Sequence, residues 1–398
     1  MTSEEVKYQE RLIKAFTPTR PIDEPEFLAG RSDIMYKALD TARTPGLHMI
    51  LFGERGTGKT SIARVLGHIL EEPDKPNGYR TILIQCNSSD NYSRIWQRII
   101  REILLRQQQI GFLQQQGANI IGKPAIDVAI VEPNDARIAV QSLANPTIII
   151  IDEFDRVPNN TDAKLLMADT IKLFSDMNVD CKLILVGVAE SVSELIAEHQ
   201  SISRNMLQKL VEPMTIEELA QIIEKGFNYV GLKYENGLDE KIALLSQGYP
   251  HYTHLLGLWA GRHAIAEKRN EVTSKDLNNA IADTLQNTIG SVREEYQLAT
   301  ASSKKTALYK DVLLACALAN KDSLGRFSLV DVREPLQAIT GHDYTTGAYQ
   351  AHLGAFCTPE RGAILKRSGK PKNYRWKFVN PQLIPYVRLQ GMKEGRLA

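Results

Sequence analysis

The run Gly53-Glu54-Arg55-Gly56-Thr57-Gly58-Lys59-Thr60 places three glycines, a lysine and a hydroxyl at the spacing of a phosphate-binding loop. Gly53, Gly56 and Gly58 permit a tight turn that brings successive backbone N–H groups onto a polyphosphate. Lys59 reaches the β- and γ-phosphates, and Thr60 holds a Mg²⁺ ion. Glu54, Arg55, Thr57 and Ser61 complete the expected nucleotide-contacting set. Such a loop works only between a strand and a helix. The flanking segments supply both: GLHMILF before it reads as a buried strand, and SIARVLGHIL after it has helical periodicity.

A second acidic centre lies downstream in PTIIIIDEFDRV, 146–157. Four consecutive isoleucines predict a strand buried on both faces, as in a parallel sheet. Its acids come only at the C-terminal end, where open α/β sheets bind ligands. The segment resembles a Walker B motif of the Asp-Glu type. That resemblance implies that Asp152 holds Mg²⁺ through water and that Glu153 orients and polarises an attacking water.

The elements that must carry these residues follow from periodicity. YRTILIQCN (79–87) and CKLILVGVA (181–189) predict further strands, and KLVEPM (209–214) a short last one. Helices are expected near 92–105 and 162–177. Alternation of strands and helices implies a parallel sheet covered on both faces. The stretch 106–145, with QQQIGFLQQQG, reads either as a surface excursion of weak helical character or as a disordered loop. After the sheet, Thr215 and Glu218 form a capping box before IEELAQIIEKGF. More helices are expected near 238–247, 250–268 and 274–287, which makes a helical bundle.

Composition is that of an ordinary folded protein, with 43% apolar and 24% charged residues. No apolar run approaches ~18–20 residues, so no membrane span is expected, and the N-terminus carries no signal-peptide core. The scattered Cys86, Cys181, Cys316 and Cys357 read as reduced thiols of a cytoplasmic protein. No zinc-ligand spacing is present. The net charge of +1 hides an asymmetry: residues 301–398 hold sixteen Lys/Arg and seven Asp/Glu, a net of +9, leaving −8 for the first 300. A basic C-terminal region suggests an anionic partner.

Taken together, the loop, the acidic strand end and the helical bundle resemble an AAA+ ATPase, nearest to the initiator clade of origin-recognition and cell-division-control ATPases and their bacterial relatives. FLAGR at 27–31 resembles the entry motif of that clade, beside the nucleotide base. SISR within 187–206 resembles the region that carries an arginine finger, which implies a role for Arg204 in a neighbouring subunit's site. Two positions depart from the family pattern. Glu190, with Ser191 next to it, falls where a polar sensor, often Asn, ends the fourth strand. GYPH at 248–251 places His251 where the clade has a sensor arginine; histidine can still donate to a phosphate.

From Lys304 onward, KTALYKDVLLACALA, Phe327–Leu336 and Thr345–Phe356 predict helices. AILKRSGKPKNYRWKFVN (363–380) predicts a basic hairpin turning at SGKPKN. Helices followed by a basic hairpin resemble a winged helix. The wing presents Lys366, Arg367, Lys370, Lys372, Arg375 and Lys377, with base reading resting on Thr346, Tyr349, Gln350 and His352.

The expected organisation is an N-terminal linker (1–24), an α/β P-loop NTPase domain of the AAA+ kind (25–214), a helical lid (215–300) and a winged-helix domain (301–398). The function implied is ATP- and Mg²⁺-dependent switching of DNA binding or assembly, in a homo-oligomer with duplex DNA and a protein partner. The alternative is a STAND-like signalling or scaffold ATPase whose winged helix makes protein contacts.

Overall fold

The computed structural model describes residues 3–71, 78–114, 130–143, 145–196, 204–288, 290–302, 308–322, 324–370 and 373–397. They fall into two compact units. One comprises Pro21–Glu54 and Gly58–Val211; the other comprises Met1–Arg20, Arg55–Thr57 and Glu212–Ala398.

The second unit opens the chain with helix α1 (Ser3–Ala15). The first unit then runs α2 (Ser32–Arg43), β1 (His48–Gly53), α3 (Lys59–Leu70), β2 (Arg80–Gln85), α4 (Tyr92–Gln114), α5 (Pro133–Gln141), β3 (Thr147–Asp152), α6 (Ala163–Asp176), β4 (Cys181–Val188) and β5 (Met206–Leu210). The five strands form one parallel sheet in the order β2-β3-β4-β1-β5. Every residue of β3 is buried, as its isoleucines require of a strand covered on both faces. Trp96 and Phe174, with ring centroids 5.9 Å apart, fill the layer between the sheet and α4 and α6. Parallel pairing in register puts Gly53 opposite Val188 and Asp152 opposite Gln85. The phosphate loop and the acidic strand end therefore leave the same edge of the sheet.

Two segments differ from expectation. The last strand, expected over 209–214, runs Met206–Leu210 because its pairing with β1 starts at His48↔Met206 and ends at Phe52↔Leu210. In the excursion 106–145, α4 continues to Gln114 and α5 occupies Pro133–Gln141; 115–129 lie outside the described residues.

The second unit continues with α7 (Ile216–Val230), β6 (Lys233–Tyr234), α8 (Leu238–Ser246), α9 (Pro250–Ala266), β7 (Glu271–Val272), α10 (Ser274–Asn287) and α11 (Gly290–Thr300). The capping box before α7 forms as expected: Glu218 N–H donates to Thr215 Oγ1 (3.2 Å) and Thr215 N–H to Glu218 Oε2 (2.9 Å). Residues 1–24, read as a linker, contain α1, which packs on α7 and α9. Phe16, 1% exposed, sits where Gly226 and Gly257 have no side chains, and Leu12 sits over Gly261. Glycine inside a helix costs about 1 kcal/mol against alanine; here it opens the notch that α1 fills.

The C-terminal elements are α12 (Tyr309–Leu318), α13 (Arg333–Thr340), α14 (Thr346–Ala355), the antiparallel hairpin β8 (Leu365–Ser368) and β9 (Arg375–Phe378), and α15 (Leu383–Lys393). Phe327, expected to open a helix, instead pairs with Trp376 in a β-bridge with reciprocal backbone hydrogen bonds of 2.9 and 2.8 Å. Helical turns resume only at Val330.

Two buried histidines make the fold acid-sensitive. His48, 1% exposed, accepts the Leu183 N–H at Nδ1 (3.0 Å), and burial pushes its pKa down to about 3. His254 accepts the Thr17 N–H (3.3 Å), and burial pushes it to about 4. Unfolded histidine titrates near 6.5, so below that pH the unfolded chain binds the extra protons. Stability from these groups is complete above pH 6.5 and is lost as pH falls toward the folded values, by up to about 1.4 kcal/mol per pH unit for each histidine. Urea midpoints measured from pH 7 to pH 5 should fall, and His254→Asn should flatten the slope. An unchanged slope in that variant would show that His254 is not the titrating group.

Candidate nucleotide-binding site

Loop geometry follows from two glycines. Gly53 has φ 140°, and a Cβ there would stand 2.5 Å from the Val211 carbonyl oxygen; no other residue fits. Gly58, the N-cap of α3, has φ 91° with open space beside it, so its backbone angle rather than crowding demands glycine. α3 then presents Lys59 and Thr60 in its first turn.

Lys59 is only 7% exposed. Its Nζ donates to the carbonyls of Gly53 (3.1 Å) and Glu54 (2.6 Å). Burial pushes its pKa down to about 8, against the opposing charges of Asp155, Asp152 and Glu54. The ammonium is thus buried at the mouth of the loop and held on two backbone carbonyls.

Thr60 Oγ1 donates to Asp152 Oδ1 at 3.2 Å, which joins the loop to the end of β3. Burial raises the Asp152 carboxyl, while the Thr60 hydroxyl and the Glu153 N–H (2.9 Å) oppose that rise. A hydroxyl and a carboxylate in contact are the hard oxygen donors that Mg²⁺ prefers, with phosphates and water filling the remaining positions. The residues fit that ion.

Glu153 adopts a left-handed backbone, φ 53° and ψ 37°, which costs a non-glycine residue on the order of 1 kcal/mol. Its Oε2 accepts from Arg156 at 2.8 Å in a partly exposed ion pair. Asp155, in the same turn, accepts the Val188 N–H at 2.8 Å and so ties the turn after β3 to the end of β4. Asp155 and Arg156 were in view in DEFDRV, but no spacing rule gives them these partners. Glu190, in the expected sensor position, is exposed, and its N–H donates to Glu194 Oε2 (3.0 Å). The backbone at the end of β4 is instead held by Asp155.

The remaining site residues are placed as follows. Ser61 Oγ accepts the Ile22 N–H at 3.0 Å. Arg55 is exposed and Thr57 is fully buried. In FLAGR, Phe27 and Arg31 are buried and Gly30 has φ 65°. Arg204 is exposed just before β5, and 201–203 of its SISR segment lie outside the described residues. His251, in the second unit, hydrogen-bonds through Nδ1 to the Pro18 carbonyl (2.7 Å), and burial lowers its pKa. A carbonyl can only accept, so Nδ1 carries the proton. In the neutral ring Nε2 is then an acceptor, and donation to a phosphate requires a second proton.

Two proposed base readers are corrected. Tyr349 is 0% exposed, and its hydroxyl donates to the Leu329 carbonyl at 3.0 Å. His352 is half-buried, with its ring against Tyr309 at a centroid distance of 4.7 Å. Both serve the packing of α14. Lys372 lies outside the described residues.

Burial raises the thiols of Cys86, Cys181, Cys316 and Cys357, which makes them poor nucleophiles. Among the described residues, no helix is long and apolar enough to cross a membrane.

Comparisons with known proteins agree with this geometry. A family model described as an AAA domain matches residues 42–196. The ORC1-type DNA replication protein 1 of Methanosarcina acetivorans is 24% identical over 278 residues, 67% of this chain and 61% of that protein. Its counterpart from Methanosarcina mazei is 23% identical over the same shares. The chain thus spans about three fifths of the length of these relatives. A Walker-type ATPase of Pyrococcus abyssi superposes with a TM-score of 0.53 at 17% identity, over 93% of this chain and 99% of that one; the likeness is one of fold. The parallel sheet, the phosphate loop joined to an acidic strand end and the matched domain agree: the fold is that of a P-loop NTPase with an AAA domain over residues 42–196, and the chain is similar to ORC1-type replication proteins.

Proposed function

We propose that the chain binds Mg²⁺–ATP in the loop 53–61, hydrolyses it, and uses the nucleotide to control assembly and DNA binding. The observation that carries this reading is the Thr60–Asp152 hydrogen bond beside the buried Lys59. It brings two separate motifs to one point, as phosphoryl transfer requires. Mg²⁺, held by Thr60 and Asp152, would neutralise charge on the phosphate oxygens. Lys59 would bind the β- and γ-phosphates. Glu153 would leave Arg156 and orient the attacking water.

The exposed Arg204 is available to a neighbour's nucleotide. A guanidinium supplied in this way stabilises charge on the transferring group and is worth about 10³–10⁵ in turnover. The test is ATPase rate per subunit against protein concentration, with and without duplex DNA. A rate that rises with concentration, and an Arg204→Ala variant that binds ATP but loses turnover by about 10³ or more, support the shared site. Normal hydrolysis in that variant removes Arg204 from the mechanism.

The DNA part of the reading rests on the basic hairpin β8–β9 behind α12–α14, an arrangement that fits a winged helix. The replication role named for the ORC1-type relatives is consistent with it.

A further inference from the structure

We propose that Gln382, the residue that opens α15, donates to the phosphates of the bound nucleotide and so couples occupancy of the phosphate loop to the seating of α15. This rests on the nucleotide-binding reading above and adds to it a residue from far beyond the loop in sequence.

The tip of the phosphate loop, Arg55–Thr57, belongs to the same compact unit as α9, α11 and α15. Gly56 shows which groups it meets there. Its φ is 85°, and a Cβ on it would stand 3.6 Å from Gln382 Nε2 and 3.6 Å from Tyr249 Cδ1. The tip therefore packs against one aromatic ring and one side-chain amide. The ring edge offers the loop only hydrocarbon at that point. The amide nitrogen carries two hydrogen-bond donors, whereas a polyphosphate offers only acceptors. A hydrogen bond to a charged phosphate oxygen is roughly twice as strong as one between neutral groups.

The backbone of Gln382 is fixed from two sides. Its carbonyl accepts the Tyr252 hydroxyl of α9 at 2.9 Å, and its N–H donates to Asn380 Oδ1 at 3.2 Å. Asn380 Nδ2 in turn donates to both carboxylate oxygens of Glu295 on α11, at 3.2 and 3.0 Å. Burial raises the Glu295 carboxyl, and the Asn380 amide and the charge of Arg55 oppose that rise. Arg55 of the loop tip is thus within electrostatic reach of the group that anchors Gln382. The Gln382 side-chain amide, by contrast, is half-buried and has no hydrogen-bond partner among the described residues. A donor held beside the loop with its backbone already ordered costs little to recruit. Because α15 packs on α8, α10, α11 and α12, a nucleotide that engages Gln382 also steadies that helix. The coupling runs both ways by the same factor.

The full chain is titrated with a fluorescent ATP analogue in Mg²⁺ buffer, beside Gln382→Ala and Gln382→Glu, with circular dichroism as the check on folding. The alanine variant should bind about 10–100-fold more weakly, the worth of one hydrogen bond to a charged group. Glutamate keeps the size of glutamine but replaces its donors with a negative charge, so Gln382→Glu should bind more weakly still. A role in packing alone predicts the opposite order, because glutamate fills the same space and alanine does not. Hydrogen exchange gives the reciprocal reading: Mg²⁺–ATP should slow amide exchange over Leu383–Lys393 in the wild type, and this slowing should be absent in Gln382→Ala. Wild-type affinity in the alanine variant overturns the proposal, and so does tighter binding by glutamate than by alanine. If the wild-type chain itself binds no ATP, the nucleotide-binding reading fails, and the two failures are told apart by the wild-type titration.

Discussion

Glu153→Gln is expected to lower ATP turnover by about 10²–10⁴-fold while ATP stays bound. Glutamine has the shape of glutamate, and its amide oxygen can still accept from Arg156, so the turn after β3 keeps its left-handed backbone. What would be lost is the carboxylate charge proposed above to polarise water. At about 1.4 kcal/mol per tenfold, the loss amounts to roughly 3–5 kcal/mol of barrier. In the proposed site, binding would rest on other groups: the loop amides, Lys59, and the Thr60–Asp152 pair on β3 and α3. Single-turnover hydrolysis, paired with titration by a fluorescent nucleotide, separates the two effects. Turnover within about tenfold of wild type, below the usual range for a general base, would move the role to another acid. Asp155, in the same turn after β3, is the next candidate.

Phe16→Ala should destabilise the second unit by about 3–5 kcal/mol. The ring is 1% exposed and packs edge-on to Phe227 at 5.2 Å, with Gly226 and Gly257 on its other contacts. The reverse change is also costly. A Cβ at Gly226 would stand 2.3 Å from the Phe16 ring, and one at Gly257 would stand 2.5 Å from it, so either alanine forces the ring or helix α1 to move. Overpacking of this kind costs about 1–3 kcal/mol. The pair Gly226→Ala with Phe16→Leu should recover part of the loss, because the smaller side chain vacates the space the new methyl needs. Chemical unfolding of the single and double variants measures the coupling. Strict additivity would mean that the ring and the glycine do not share this space.

Much of the first unit was legible in the sequence, and for a local reason. A phosphate loop is a run of backbone angles, so its glycines must appear in order. A strand covered on both faces must be apolar throughout, as 148–151 are. The capping box at Thr215 and Glu218 is likewise a contact three residues apart. Each of these is set within one turn or one strand of chain, where residue type and geometry are coupled directly.

The rest depended on partners that lie far apart in sequence. That Thr60 meets Asp152 follows from strand order, and β1 lies between β4 and β5 by pairings no local pattern contains. That Ser3–Ala15 forms part of a helical bundle follows from glycines more than 200 positions away. Tyr349 and His352 were expected to read bases, yet Leu329 and Tyr309 draw them into the packing of α14. The sequence by itself determined the glycine-rich loop, the buried strand 147–152 and most helices, because those properties are local. Only the tertiary structure decided which acids face the loop, which histidines are buried neutral, and which basic groups remain exposed, because burial and pairing are properties of neighbours in space.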